Sequence, residues 1–165
     1  MSPAHLATFD LGAVAAVLAD QGIERASAAV LARAAGVAKP TLYARYGSRD
    51  GVVEACVQHE AERLLDALFA SDDPGTAVAV YARRSPGWPL VLQDRHPIAV
   101  AARTRIASRI AEWRGGVAGM PARTAASAFL AAAGAIVARE PAADREQALC
   151  SLARALIPAR PGSPR

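Results

Sequence analysis

At 165 residues the chain can bury a core and hold a small head plus one small helical domain. Alanine and leucine abound, aromatics are few and β-branched runs are absent, a composition that predicts an all-α fold and excludes sheet architectures. No apolar run reaches the roughly eighteen residues of a membrane span, and no cleavable signal pattern opens the chain, so a cytoplasmic protein without a membrane partner is expected. The net charge of +4 and pI near 9.7 are weak evidence for a polyanionic partner. Six basic residues face eight acidic ones through residue 70, whereas thirteen arginines face seven acids after it.

In chain order, a first helix closes on Val17, Leu18, Ala19, Asp20, Gln21 and Gly22. Ser27 is a favoured N-cap for a second, mostly apolar helix carrying Ala28, Val30, Leu31, Ala32, Ala34 and Ala35. Gly36 ends it, since a left-handed residue at a helix end needs no Cβ. Val37 fills the angle between helices, and Pro40 suits the first position of a third helix, where its missing N–H costs nothing. The turn alone fits an ordinary helical hairpin as well as a DNA-docking helix-turn-helix. Thr41, Tyr43, Arg45 and Tyr46 tilt the reading to the latter, because such groups on an outward face imply something to contact. From 22 to 50 the count is five basic against two acidic residues, a modest patch of the kind that holds a few phosphates. Lys39, the one lysine of the chain, sits where the third helix starts.

The segment 6–68 resembles the N-terminal domain of the tetracycline-repressor (TetR/AcrR) transcriptional regulators. The resemblance rests on the first helix ending at Gly22, on Leu31-Ala32-Arg33-Ala34-Ala35-Gly36-Val37, on Lys39-Pro40-Thr41-Leu42-Tyr43, and on Tyr46-Gly47-Ser48-Arg49-Asp50 leading into a long helix. It implies a helix-turn-helix DNA-binding domain over 1–48 and a C-terminal helical effector-binding and dimerisation domain over 49–165. Carried over by position, Lys39, Pro40 and Thr41 open the recognition helix, and Lys39 and Thr41 are candidates for base or nearby phosphate contact. Tyr43 falls on a phosphate-holding tyrosine, Arg45 on an outward contact position, and Arg49 beside phosphate at the start of the fourth helix. Ser27 and Tyr46 complete the DNA-binding set. Ala29 and Ala38 depart from the family, replacing polar residues and implying fewer backbone contacts.

A fourth helix is predicted from Arg49 to Phe69, where Val52, Val53, Cys56, Val57, Glu60, Ala61, Leu64, Leu65 and Leu68 fall mainly at helical spacing and give an apolar stripe. Glu54, Glu60 and Glu62 read as a solvated, charge-laced face beside arginines. Ser71-Asp72-Asp73-Pro74-Gly75 is the clearest break. Further helices are predicted over Pro74–Arg84, 89–94, Pro97–Arg114, 121–139 and Ala142–Leu156, with loops at Gly87-Trp88-Pro89 and at Gly115 and Gly116. An effector pocket is expected from Tyr81, Trp88, Leu92, His96, Arg103, Ile106, Ile110 and Trp113, aromatic walls with polar handles, although aromatics at helical spacing also make plain core. A subunit interface is expected from Phe129, Leu130, Gly134, Val137, Leu149, Leu152 and Leu156, because the family's last two helices meet a partner subunit. The alternative there is a core helix pair.

Cys56 and Cys150 stand apart from each other and from histidine at ligand spacing, so free thiols and no metal or cofactor are expected. His5, His59 and His96 carry no catalytic pattern. The expected function is therefore a sequence-specific DNA-binding regulator, a homodimeric repressor on a near-palindromic operator in double-stranded DNA, released by a small apolar ligand. The alternatives are a ligand-independent or partner-gated DNA binder and, last, a helical enzyme.

Overall fold

The computed structural model describes residues 9–114 and 119–157. The expected loop at Gly115 and Gly116, His5 and the Leu6 start of the resemblance lie outside the described residues. Among the described residues the chain forms nine helices and no strand: α1 Leu11–Gln21, α2 Ala28–Ala34, α3 Lys39–Tyr46, α4 Arg49–Phe69, α5 Pro74–Arg84, α6 Trp88–Leu92, α7 Pro97–Arg114, α8 Ala122–Arg139 and α9 Ala142–Leu156. None of these is long and apolar enough to cross a membrane.

Short polar residues start most of the N-terminal helices. Asp10 accepts from the Ala13 N–H (2.9 Å), Ser27 from Val30 (3.4 Å), Ser48 from Gly51 (3.0 Å) and Asp73 from Thr76 (2.9 Å). Each bond satisfies a donor that the helix start leaves orphaned. α3 lacks this help: Ala38 holds the cap position with no side-chain bond, and Pro40 in the first turn is its only start signal. Between α2 and α3, Gly36 takes φ +70°, the left-handed conformation that makes the turn sharp.

α4 is the spine. Val52, Val53, Cys56 and Val57 are fully buried near its start, and Leu64 and Leu68 near its end. α1 and α3 pack on α4, and so do α5, α6 and α7. One apolar core thus runs from Leu18 and Leu42 through α4 to Phe129 and Leu149. Each fully buried Leu or Phe contributes about 1.5–3 kcal/mol by leaving water.

The helix limits differ from expectation at α6 and α8. α6 starts at Trp88 after Gly87 and ends at Leu92, where the Gln93 and Asp94 N–H groups both bond the Pro89 carbonyl. The Arg103 guanidinium closes that end by donating to the Val91 (3.0 Å) and Asp94 (2.6 Å) carbonyls. α8 starts at Ala122, with Pro121 as the residue outside.

Three expectations are corrected by packing. Glu60 is not on a solvated face; it is fully buried where α4 meets α5 and the turn before α6. Phe129, Leu130, Val137 and Leu149 are not on an outer face either, since all four are buried within the chain. Gly134 serves a close approach, but to this chain's own α6: a Cβ there would lie 2.5 Å from the Leu92 carbonyl oxygen, and the Gln93 side chain donates to the Gly134 carbonyl (3.0 Å).

Candidate nucleic-acid interface

α3 owes its orientation to one buried anchor. Leu42 is fully buried beneath it, and this turns Lys39, Pro40, Thr41 and Arg45 to solvent while Tyr43 and Tyr46 lie half-buried at its flanks. The exposed side chains form one polar face. Lys39 Nζ stands 5.6 Å from the Tyr43 ring centroid, so the ammonium rests over the aromatic face. A second stack orders the far end. Phe9 meets Tyr46 edge-on at 4.8 Å, and the Arg45 guanidinium sits 5.5 Å from the first ring and 5.7 Å from the second. This face can give a cation and hydroxyl donors to phosphate oxygens and a guanidinium fork to a base edge.

Two of the expected contact residues are engaged within the protein. The Ser27 hydroxyl accepts the cap bond of α2. The Arg49 guanidinium donates to the Ile23 carbonyl and to the Ala26 carbonyl (3.0 Å), and it lies 3.4 Å from the Asp50 carboxylate. Arg49 therefore clips the start of α4 to the turn between α1 and α2. The longer fork of arginine reaches two carbonyls at once, which a lysine ammonium at the same place does less well.

The expected pocket residues are not gathered around one cavity. Leu92, Ile106 and Ile110 are buried core, and the Tyr81 hydroxyl donates to Glu60 (2.9 Å). Trp88 packs on the core, and Arg103 turns to backbone carbonyls. His96 Nε2 lies 3.3 Å from a Glu24 carboxylate oxygen, tying the loop before α7 to the turn after α1. Trp113 meets Phe69 edge-on at 4.9 Å. A groove of about 630 Å³ lies instead between α4 and α7, and Ile106 alone of the expected set contributes to it.

The Glu60 cluster was missed by sequence reasoning. Its carboxylate accepts from the Tyr81 and Ser85 hydroxyls and from Arg63 (3.2 Å), and Arg63 also donates to Ser85 (3.2 Å) and to the Arg84 carbonyl (3.4 Å). Burial, and after it the Glu60 carboxylate, push the Tyr81 hydroxyl well above the ordinary phenol range, so it remains a donor. The available signal was position: Glu60 falls in the stripe of Val53, Val57 and Leu64. Cys56 lies one turn before it. Burial pushes its thiol up to about 12, which leaves it an unreactive core group. Cys150 is also free, with its sulfur 3.4 Å from the Thr76 hydroxyl.

Residues 11–56, which hold α1 to α3 and the start of α4, match the family model described as bacterial regulatory proteins, tetR family. No curated protein matches the chain. Solved structures resemble it over most of its length. A protein from Rhodococcus sp. assigned as a TetR-family transcriptional regulator superposes with a TM-score of 0.65 at 17% identity, covering 88% of this chain and 95% of that one. A TetR-family transcriptional regulator from Streptomyces coelicolor gives 0.60 at 17% identity, with 87% and 77% covered. The regulator PfmR from Thermus thermophilus gives 0.54 at 18% identity, with 90% and 97% covered. At such identities the likeness is one of fold.

Proposed function

We propose, from the match of residues 11–56 to the tetR family of bacterial regulatory proteins, that this chain is a DNA-binding regulator of that family, a homodimeric repressor that a small ligand releases from its operator. The observation that carries the reading is the exposed polar face of α3, with Lys39, Thr41 and Arg45 outward and Leu42 anchoring the helix from below. Five basic residues against two acidic ones between 22 and 50 give this end of the chain a favourable field for phosphate. Lys39, Thr41 and Arg45 take base or phosphate contacts, and Tyr43 holds a phosphate from the flank. Ser27 and Arg49 act one step back, by holding the helices that carry these groups.

One such head covers a half-site, so two copies related by a two-fold axis read a near-palindrome. The partner is met through the outer faces of α8 and α9. There Ala131, Ala135 and Ala138 are exposed and Leu152 and Leu156 half-buried, so a second pair of helices can approach closely. In this proposal residues 1–48 read DNA and 49–165 take ligand and partner. α4 joins them, and a ligand that favours one tilt of α4 shifts DNA affinity by its difference in affinity for the two states. A ligand-independent DNA binder is the second reading, favoured by the burial of Tyr81 and Ile110 in the core. No catalytic role is proposed.

Light scattering at micromolar concentration, followed by duplex-DNA titration over a salt series, tests the proposal. The expected result is a dimer whose affinity falls steeply as salt rises, with a log–log slope of about −0.9 per phosphate contacted. A monomer, or a folded dimer without affinity for duplex DNA, would contradict it.

A further inference from the structure

The groove between α4 and α7 has a chemistry of its own. Its floor is apolar, built from Ala61 and Ile106, which are buried, and from Leu65 and Phe69, which are half-buried. The floor follows α4 from Gln58 to Phe69, about 16 Å at 1.5 Å per residue, so the trough is long. Its volume lies within the range of small-molecule sites.

The rims differ in charge. The α4 rim carries Glu62 and Asp66; the opposite rim carries Arg105 and Arg109 from α7 and Arg123 from the first turn of α8. Among the described residues none of these three arginines is in an ion pair. Arg105 is hydrogen-bonded to Gln58 across the trough (3.1 Å), and Arg109 leans over the Phe69 ring at 5.8 Å. Three like charges gathered on one rim repel, and Arg123 lies at a helix start, where the dipole adds to the positive potential. An anion seated there relieves both costs and is bound by forked, charge-assisted bonds.

We propose that this groove binds an amphipathic organic anion, an unbranched apolar chain ending in a carboxylate. The chain lies along Leu65 and Phe69, and the head group is received by Arg105, Arg109 and Arg123. The ligand class stands on the groove itself; its effect on DNA rests on the release mechanism proposed above.

Calorimetric titration of the full chain with decanoate, decanol and decyltrimethylammonium, each kept below its micellar concentration, tests this. Decanoate is expected to bind at one per chain, about tenfold tighter than decanol, with the cation weakest. The double variant R105Q/R109Q is expected to lose about tenfold in decanoate affinity and to keep decanol affinity. Both arginines are exposed, so the variant is expected to fold, and circular dichroism checks this. Decanol or the cation binding as well as decanoate would overturn the proposal. So would an absence of saturable decanoate binding, or a folded double variant that binds decanoate undiminished. Decanoate bound as expected with unchanged affinity for duplex DNA would uphold the site and contradict its use as the release signal.

Discussion

Lys39 and Tyr43 share one face of α3, with the ammonium resting over the ring, yet they are assigned different tasks. Tyr43→Phe removes one hydroxyl donor and is expected to weaken DNA binding by about 1 kcal/mol, evenly over all duplexes. Lys39→Ala is expected to change the preferred base at one operator position by about 1–3 kcal/mol. Fluorescence anisotropy over a panel of single-base operator variants separates the two, and unchanged affinity in both would sink the docking arrangement. At the same scale, Tyr81→Phe leaves the buried Glu60 carboxylate one donor short. It is expected to lower stability by about 1–3 kcal/mol, read as a drop in the urea midpoint at constant slope. An unchanged midpoint would mean that the cluster does not hold α4 to α5. Glu60 was hard to read because its donor partners are distant: one glutamate near arginines looks solvated until Tyr81 and Ser85, more than twenty positions later, fold over it.

Helices are where local chemistry spoke most clearly. Ser27, Gly36, Pro40 and the break at Asp73-Pro74 are start and stop signals whose effect is local, and α2, α3 and α5 lie where those signals put them. The faces of α8 and α9 were less legible. Alanine populates every side of α8, so the contrast between faces is faint, and the large residues Phe129, Leu130 and Val137 point to the chain's own core. The spread of the expected pocket has a similar cause. Spacing along a helix tells which residues share a face, but not whether that face borders a space or a neighbouring helix. α3 carries a prediction of its own. Its missing side-chain cap makes Ala38→Ser a stabilising change of about 0.5–2 kcal/mol, measured by thermal unfolding. A drop in stability would show that the backbone at residue 38 cannot offer a hydroxyl to the first turn. Duplex affinity of the same variant reports whether a firmer α3 also binds better.

The whole molecule is joined by α4, which is buried against α1 and α3 at one end and α5, α6 and α7 further along. Two smaller ties add to it, Arg49 on the α1–α2 turn and the His96–Glu24 pair between that turn and the loop before α7. In the proposed release mechanism, these contacts of α4 would carry a tilt from the ligand end to α3. The charge excess lies apart from the exposed face of α3: most arginines lie beyond residue 70, so global pI says little about DNA, and the local balance of residues 22–50 says more. The central claim is that two copies of α3, held at groove spacing by a dimer, read a specific duplex. Selection of bound duplexes from a random pool with the purified chain tests it most directly. A near-palindromic consensus, with half-sites about one helical turn apart or a multiple of it, is the predicted result. A folded dimer that enriches no sequence, or only a lone half-site, would contradict it.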